Sequence, residues 1–145
     1  MLEDEGYRLM GAAFEVFNQL GYGMAEEIYQ QSLEIELHLR GIPFLSKQQL
    51  AVFYKERRLE TSYCPDLLVF GAIVVELKAV TGLTAEHESQ LFNYMRISHQ
   101  RVGYLLNFGK KGELQWKRFV LTDLHANSPT NSAATIEVTD NISGD

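Results

Sequence analysis

The chain has 145 residues, of which 46% are hydrophobic, and its formal net charge is −6. This length supports one hydrophobic core, so we expect a single domain over residues 1–125 and a flexible polar tail over residues 126–145. The acidic balance argues against a protein that coats DNA through net charge. The sequence contains no apolar run of about 18 residues, so we expect no membrane-spanning segment.

The cysteine and the N-terminal sequence favour a reducing compartment. Cys64 is the single cysteine, so an internal disulfide framework is excluded. The chain begins Met-Leu-Glu-Asp-Glu, which lacks the basic and apolar regions of a secretory signal. We therefore expect a cytoplasmic protein. We interpret Cys64 as a small buried residue rather than a reactive thiol.

Hydrophobic periodicity predicts a mixed α/β domain, in which helices and strands alternate along the chain. The predicted helices cover residues 2–19, 24–40 and 84–98. The predicted strands cover residues 46–54, 59–69, 73–79, 102–108 and 113–121. Because residues 102–108 are almost wholly apolar, we expect a central strand that is buried on both faces.

Two further strand features are expected near the C-terminus. Leu114 and Trp116 lie in one phase and Phe119 and Leu121 in the other, which indicates a β-bulge near Lys117. Within the tail, residues 135–138 have the composition of a strand that pairs transiently.

The second predicted helix carries an acidic residue on an apolar stripe. Glu26 shares this stripe with Tyr29, Leu33 and Leu37, at spacings of three, seven and eleven residues. The neighbouring Glu27 points elsewhere and is typical of a solvated residue. Glu26 is either an ordinary acid in a first helical turn, favoured by the helix dipole, or part of a functional site.

The most informative segment is a predicted hairpin centred on Gly71. If the hairpin is symmetric about Gly71, Asp66 faces Glu76, and directly opposed side chains have Cβ atoms about 4.5–5.5 Å apart. Lys78 lies two residues after Glu76 and therefore shares its face. Two carboxylates at this distance repel each other, and a divalent cation such as Mg²⁺ would relieve the repulsion. The alternative is that Glu76 and Lys78 form an ion pair on a solvated sheet face.

The helix after the hairpin carries a polar stripe. Thr84 is the expected N-cap, and His87, Gln90 and Tyr94 follow at positions i, i+3 and i+7 of one face. The stripe indicates a helix whose edge lines a cleft, or else a helix surface with a tyrosine in the core. No role for His87 follows from the sequence.

Basic residues cluster locally in spite of the net negative charge. The clusters are Lys55 with Arg57 and Arg58, Lys110 with Lys111, and Lys117 with Arg118. They would form a phosphate-binding rim or, alternatively, belong to solvated turns.

The residues of these segments resemble a known family. Pro65-Asp66 followed by Glu76-Leu77-Lys78 is similar to the signature of the PD-(D/E)XK nuclease superfamily. Gly23-Met24-Ala25-Glu26-Glu27-Ile28-Tyr29 resembles the motif of the GxxExxY protein family, and Gln90-Leu91-Phe92-Asn93-Tyr94 resembles the QxxxY element of the RecB-like branch. The resemblance covers about residues 3–122.

The resemblance implies a restriction-endonuclease-like αβββαβ core, with a mixed central sheet flanked by helices. Asp66 and Glu76 would be metal carboxylates, Lys78 the catalytic lysine, and Glu26 an additional acid of the metal site. Gln90 and Tyr94 would contact nucleic acid or brace the site. The implied function is Mg²⁺-dependent hydrolysis of nucleic acid, DNA rather than RNA, with Mn²⁺ as a substitute. The alternative is a catalytically silent module that binds nucleic acid or a protein, and a homodimer is compatible with either function.

Overall fold

The structure is a computed structural model that describes residues 1–122 and 136–140. The elements of this part of the chain are α1 (Glu3–Leu20), α2 (Glu26–Leu39), β1 (Phe44–Ser46), β2 (Leu50–Tyr54), β3 (Arg57–Tyr63), β4 (Leu67–Val69), β5 (Ile73–Lys78), α3 (Ala85–Ile97), β6 (Val102–Asn107), β7 (Gln115–Leu121) and β8 (Ile136–Asp140). None of the helices described is long and apolar enough to cross a membrane.

Six strands form one mixed sheet in the order β1-β4-β5-β6-β7-β8, whereas β2 and β3 form a separate antiparallel pair. Only β5 and β6 pair in parallel within this sheet, and α3 supplies the crossover that a parallel pair requires. The predicted mixed α/β class is confirmed. The succession of α2, β1, β4, β5, α3 and β6 corresponds to the αβββαβ core that the resemblance implied.

Helices cover the two faces of the main sheet. One buried cluster contains residues of α1 and α2 together with Ile73, Val75 and Leu77 of β5. The other cluster contains Val74 of β5 and the α3 residues Leu91 and Met95. Because successive strand residues point to opposite faces, Glu76 and Lys78 lie on the same face as Val74, towards α3.

The predictions of continuous strands over residues 46–54 and 59–69 are wrong. The first segment breaks at Lys47, whose φ of 55° lies in the left-handed region and cannot continue a strand. The second breaks at Cys64-Pro65, because Pro65 has no N–H to donate to a ladder. As a result, β1 and β4 join the main sheet, and β2 and β3 form their own hairpin.

The predicted bulge near Lys117 is also wrong. β6 and β7 pair without interruption from Val102 opposite Val120 to Asn107 opposite Gln115. The two hydrophobic phases arise because β7 is covered on both faces, so that Trp116 packs against one cluster and Phe119 belongs to the other. The register shift that does occur lies between β2 and β3.

β8 lies within the segment that was predicted to be a flexible tail. Residues 136–140 pair along β7, from Leu121 opposite Ile136 to Lys117 opposite Asp140. This strand overlaps the one expected at residues 135–138, and it pairs backbone groups of β7 that would otherwise form an open sheet edge. The rest of the predicted tail and its boundary at residue 125 lie outside the described residues.

Asn107, the last residue of β6, fastens the loop that leads from β5 to α3. Its fully buried amide accepts a hydrogen bond from the Val80 N–H and donates one to the Val80 carbonyl, both at 2.9 Å. It also donates to Gln115 Oε1 at 3.0 Å and accepts from the Gly109 N–H at 3.0 Å. Together with Gln115, whose Oε1 accepts a hydrogen bond from the Leu83 N–H at 2.9 Å, this side chain holds the loop that leads into α3.

We expect Asn107→Ala to lower the free energy of unfolding by about 2–4 kcal/mol, because both backbone groups of Val80 would lose their partner. Urea unfolding followed by circular dichroism would measure the change. Asn93→Ala removes an exposed asparagine of α3 and should change stability by less than about 0.5 kcal/mol. Equal stability of the two variants would contradict the role of Asn107.

Candidate active site

A pocket of about 240 Å³ lies between the end of β5 and the exposed edge of α3. Its polar lining comes from β5, from α3 and from the end of β3, namely Glu76, Lys78, His87, Gln90, Tyr94, Ser62, Tyr63 and Cys64. The structure thus brings four of the six predicted site residues into one pocket. Asp66 and Glu26 do not line the pocket, but Asp66 contacts Glu76 through its N–H and interacts electrostatically with Glu26.

The hairpin places the two carboxylates opposite each other. β4 and β5 pair from Leu67 opposite Val75 to Val69 opposite Ile73, which is the register symmetric about Gly71. Phe70 and Gly71 have φ values of 56° and 66°, and the positive φ at both turn residues suits the twist of a hairpin. Continuing this register by one residue sets Asp66 opposite Glu76.

Backbone hydrogen bonds hold both acids in this position. The Asp66 N–H donates to Glu76 Oε1 at 3.3 Å. The Leu77 N–H donates to Asp66 Oδ2 at 2.7 Å. Each acid therefore accepts a hydrogen bond from the backbone next to the other, which fixes the carboxylates close together.

Glu76 is the strongly perturbed acid of the site. Burial raises its pKa from an ordinary 4.5 to about 7, and the negative charge of Asp66 adds to the rise. The Tyr63 hydroxyl, the Asp66 N–H and the charge of Lys78 act in the opposite direction and do not offset it. The ionised Glu76 carboxylate is therefore poorly hydrated and lies close to a second carboxylate, which disfavours its charged form.

Lys47 supplies a positive charge that the sequence analysis missed. Its Nζ lies 2.5 Å from Asp66 Oδ1, and its N–H donates to the Asp66 carbonyl at 3.2 Å. Although partial burial lowers the pKa of Lys47, the hydrogen bond and charge of Asp66 raise it above the ordinary value. A loop lysine 19 residues before its partner carries no local signal, so only the fold reveals this contact.

Tyr63 is a second residue that the sequence analysis missed. Its hydroxyl donates to Glu76 Oε1 at 2.9 Å, and its ring stacks on Tyr94 with centroids 4.4 Å apart. Such stacking contributes about 0.5–1.5 kcal/mol beyond the buried area. Tyr94 therefore braces Tyr63, and Tyr63 orients the Glu76 carboxylate.

Glu26 begins α2 and is largely exposed, whereas Tyr29, Leu33 and Leu37 of its predicted stripe are fully buried. The Tyr29 hydroxyl donates to the Gly21 carbonyl at 2.6 Å and thereby fixes the loop before the helix. Partial loss of hydration raises the pKa of Glu26, and so does the charge of Asp66. Glu26 thus acts on Asp66 through space and does not line the pocket.

The expectation for Cys64 is wrong. Cys64 is exposed and lines the pocket, because it lies in the link between β3 and β4 rather than inside a strand.

The basic clusters do not form a single rim. Lys110 pairs with Glu113 at 2.7 Å, and Lys117 pairs with Glu88 at 3.0 Å. Arg118, which follows Lys117 in β7, points to the opposite face and is buried beside Tyr104.

The remaining cluster lies at the tip of the β2–β3 hairpin. Lys55, Arg57 and Arg58 are exposed there and make no ion pair within the part of the chain that the structure describes. This tip is therefore available for phosphate groups, and β3 connects it directly to the pocket.

The donor set of the pocket fits a hard divalent cation. Asp66 and Glu76 converge, and burial followed by the charge of Asp66 raises the pKa of Glu76, so a bound cation would stabilise its ionised form. Such ions are bound by one or two carboxylates and complete their shell with water and phosphate oxygens. No three His, Cys, Asp or Glu side chains form a ready-made cage among residues 1–122, so two protein carboxylates would be the principal ligands.

The comparison with models of protein families gives a match. The family model described as the PD-(D/E)XK nuclease superfamily matches residues 3–119, a span that includes every element from α1 into β7. No curated protein and no solved structure gives a significant match to the chain.

We expect the stability of the metal-free protein to fall as the pH rises through the raised pKa of Glu76. Because this pKa is about 7 when folded and 4.5 ordinarily, the folded state binds more protons than the unfolded state between these values. Relative to the parent, the free energy of unfolding of Glu76→Gln should therefore be higher at about pH 8 than below about pH 4 by roughly 2–3 kcal/mol, as measured by urea unfolding at each pH.

Glu27→Gln is the matched control, because Glu27 is an exposed acid in the first turn of α2. Measurements in EDTA keep divalent ions away from the site. If both variants follow the pH dependence of the parent, Glu76 is not the group that destabilises the folded state.

Proposed function

The chain belongs to the PD-(D/E)XK nuclease superfamily, and we propose that it hydrolyses phosphodiester bonds in DNA with Mg²⁺ as cofactor. Mn²⁺ would substitute for Mg²⁺, and RNA would be the poorer substrate. The observation that supports this function best is the opposition of Asp66 and Glu76 beside Lys78 in an open pocket. Nucleases of this superfamily act on nucleic acid and generally use divalent metal ions.

We also propose membership in the GxxExxY family of the RecB-like branch. The segment from Gly23 to Tyr29 starts α2, and its Glu26 interacts electrostatically with Asp66. Gln90 and Tyr94, the ends of the second motif, both line the pocket. These placements support the idea that both motifs serve one site.

In the proposed mechanism Asp66 and Glu76 would hold the cation, and Glu26 would add negative charge near Asp66. When bound, a divalent cation supplies Lewis-acid chemistry at the phosphate. Lys78 shares the face of Glu76 and directs a fixed positive charge at the phosphate, where negative charge builds during displacement. Tyr63 keeps the Glu76 carboxylate oriented through its hydrogen bond.

Substrate positioning is assigned to α3 and to the β2–β3 hairpin. Gln90 offers amide donors in the pocket, and Tyr94 contributes its ring and hydroxyl. The hairpin tip lies at the far end of β3, a strand of 7 residues, and so about 20 Å from the pocket. Backbone phosphates of a bound strand would meet Arg57 and Arg58 there.

A cleavage assay tests the function. We expect purified protein to cut at least one member of a panel of duplex, single-stranded and branched DNA and RNA in Mg²⁺ or Mn²⁺, but not in EDTA. Glu76→Ala and Lys78→Met should each lower the rate at least about 100-fold, because each removes charge at the reacting phosphate. Glu27→Ala should retain the parental rate.

Absence of cleavage with every substrate and metal, in protein shown to be folded, would contradict the nuclease proposal. The alternative of a silent binding module would then be favoured if the same protein still binds an oligonucleotide.

The hairpin makes a separate prediction about salt. Replacing Arg57 and Arg58 together by alanine should reduce the slope of log affinity against log salt by roughly 1.5–2, because each phosphate contact releases about one counterion. Fluorescence anisotropy with labelled DNA at several salt concentrations measures the slope. Arg101→Ala is the control, because Arg101 is an exposed arginine just before β6 and not at the hairpin tip. If Arg101→Ala lowers the salt slope as much per charge as the double variant does, the overall positive potential of the surface and not a hairpin contact explains the effect.

A further inference from the structure

We propose that His87 donates a hydrogen bond from Nε2 to a phosphate oxygen of the nucleic-acid backbone in the pocket. This inference rests on the proposed function, because it requires a phosphodiester between β5 and α3. It gives a role to His87, which shares the polar stripe of Gln90 and Tyr94 and for which the sequence predicted no role.

The position of His87 in α3 has a structural explanation that does not need a histidine. Thr84 is the N-cap, and its hydroxyl accepts a hydrogen bond from the His87 N–H at 3.3 Å. In return, His87 Nδ1 accepts one from the Thr84 N–H at 3.1 Å. This reciprocal arrangement is a capping box, in which the third helical residue is usually glutamate or glutamine. A histidine here caps the helix and adds a second ring nitrogen.

The capping bond determines where the proton of the imidazole lies. Because Nδ1 accepts a hydrogen bond, it carries no proton, and the neutral ring holds its proton on Nε2. Within the described residues, Nε2 has no hydrogen-bond partner. The ring forms part of the pocket wall that also contains Glu76 and Lys78. His87 therefore presents a neutral N–H donor of fixed tautomer to the pocket.

Phosphate is the ligand chemistry that this wall suits. The α3 side offers donors from His87, Gln90 and Tyr94, and the β5 side offers the ammonium of Lys78. A phosphodiester carries two non-bridging oxygens that accept several hydrogen bonds at once. A neutral donor binds such an oxygen without changing the net charge of the pocket, to which Glu76 and Lys78 contribute.

The test separates the cap from the pocket contact. His87→Ala removes the Nε2 donor together with the His87 half of the capping box, whereas Thr84→Ala removes the other half of the capping box and leaves the imidazole in place. His87→Gln keeps both an oxygen that can cap the helix and an amide N–H donor, so it is the conservative variant. We expect His87→Ala to melt lower, to bind a short fluorescein-labelled DNA duplex or its single strand more weakly in EDTA, and to lose about 10–100-fold in kcat/KM, whereas His87→Gln should recover most of the binding and activity. Thr84→Ala should melt lower and lose less than about threefold.

Nitrogen-15 NMR of the histidines gives a readout that does not depend on cleavage or on variant stability. In the parent protein, the His87 shifts should report an unprotonated Nδ1 and a protonated Nε2, and only Nε2 should shift strongly when the labelled DNA is added. If His87→Ala binds and cleaves like Thr84→Ala, or if Nε2 is insensitive to DNA, the contact is refuted and the nuclease function stands. If the parent neither binds nor cleaves any substrate, the nuclease function itself fails, together with this contact.

Discussion

The site depends on one electrostatic conflict, the opposition of Asp66 and Glu76 across a tight hairpin. Each carboxylate is held by a backbone N–H next to the other, so neither can move away. Burial and mutual repulsion raise the pKa of Glu76 to about 7. Lys47 offsets part of the charge on Asp66, and the Tyr63 hydroxyl offsets part of that on Glu76. A cation bound by both acids would offset the remainder, which links the instability of the site to its chemistry.

The parallel pairing of β5 and β6 determines which element lies opposite the two carboxylates. A parallel pair needs a crossover, and α3 therefore returns over the face that carries Glu76 and Lys78. Its polar stripe supplies neutral donors opposite the charged residues of β5. Asn107, the strand partner of Lys78, fastens the loop between β5 and α3 through both backbone groups of Val80. Stability and the geometry of the proposed reaction are coupled at that residue.

Much of the candidate site follows from local patterns. Gly71 between two apolar runs predicted the register of β4 and β5, because strand side chains alternate and a short turn allows few pairings. The stripe of His87, Gln90 and Tyr94 follows from helical periodicity in the same way. Lys47 and Tyr63 were not predictable, since each reaches its acid only when β1, β3 and β4 have taken their places. The roles of all these residues remain proposals for experiment.

By itself, the sequence determined the mixed α/β class, the three helices with their buried and polar stripes, and the register of the hairpin around Gly71. These features depend on the hydrophobic periods of strands (2 residues) and helices (3.6 residues), which can be recognised within a short segment of sequence. Only the tertiary structure decided that β2 and β3 leave the main sheet, that Cys64 is exposed, and that β7 is covered on both faces without a bulge. The physical reason is that strand partners, burial and charge neutralisation are properties of contacts between distant segments, which no single segment encodes.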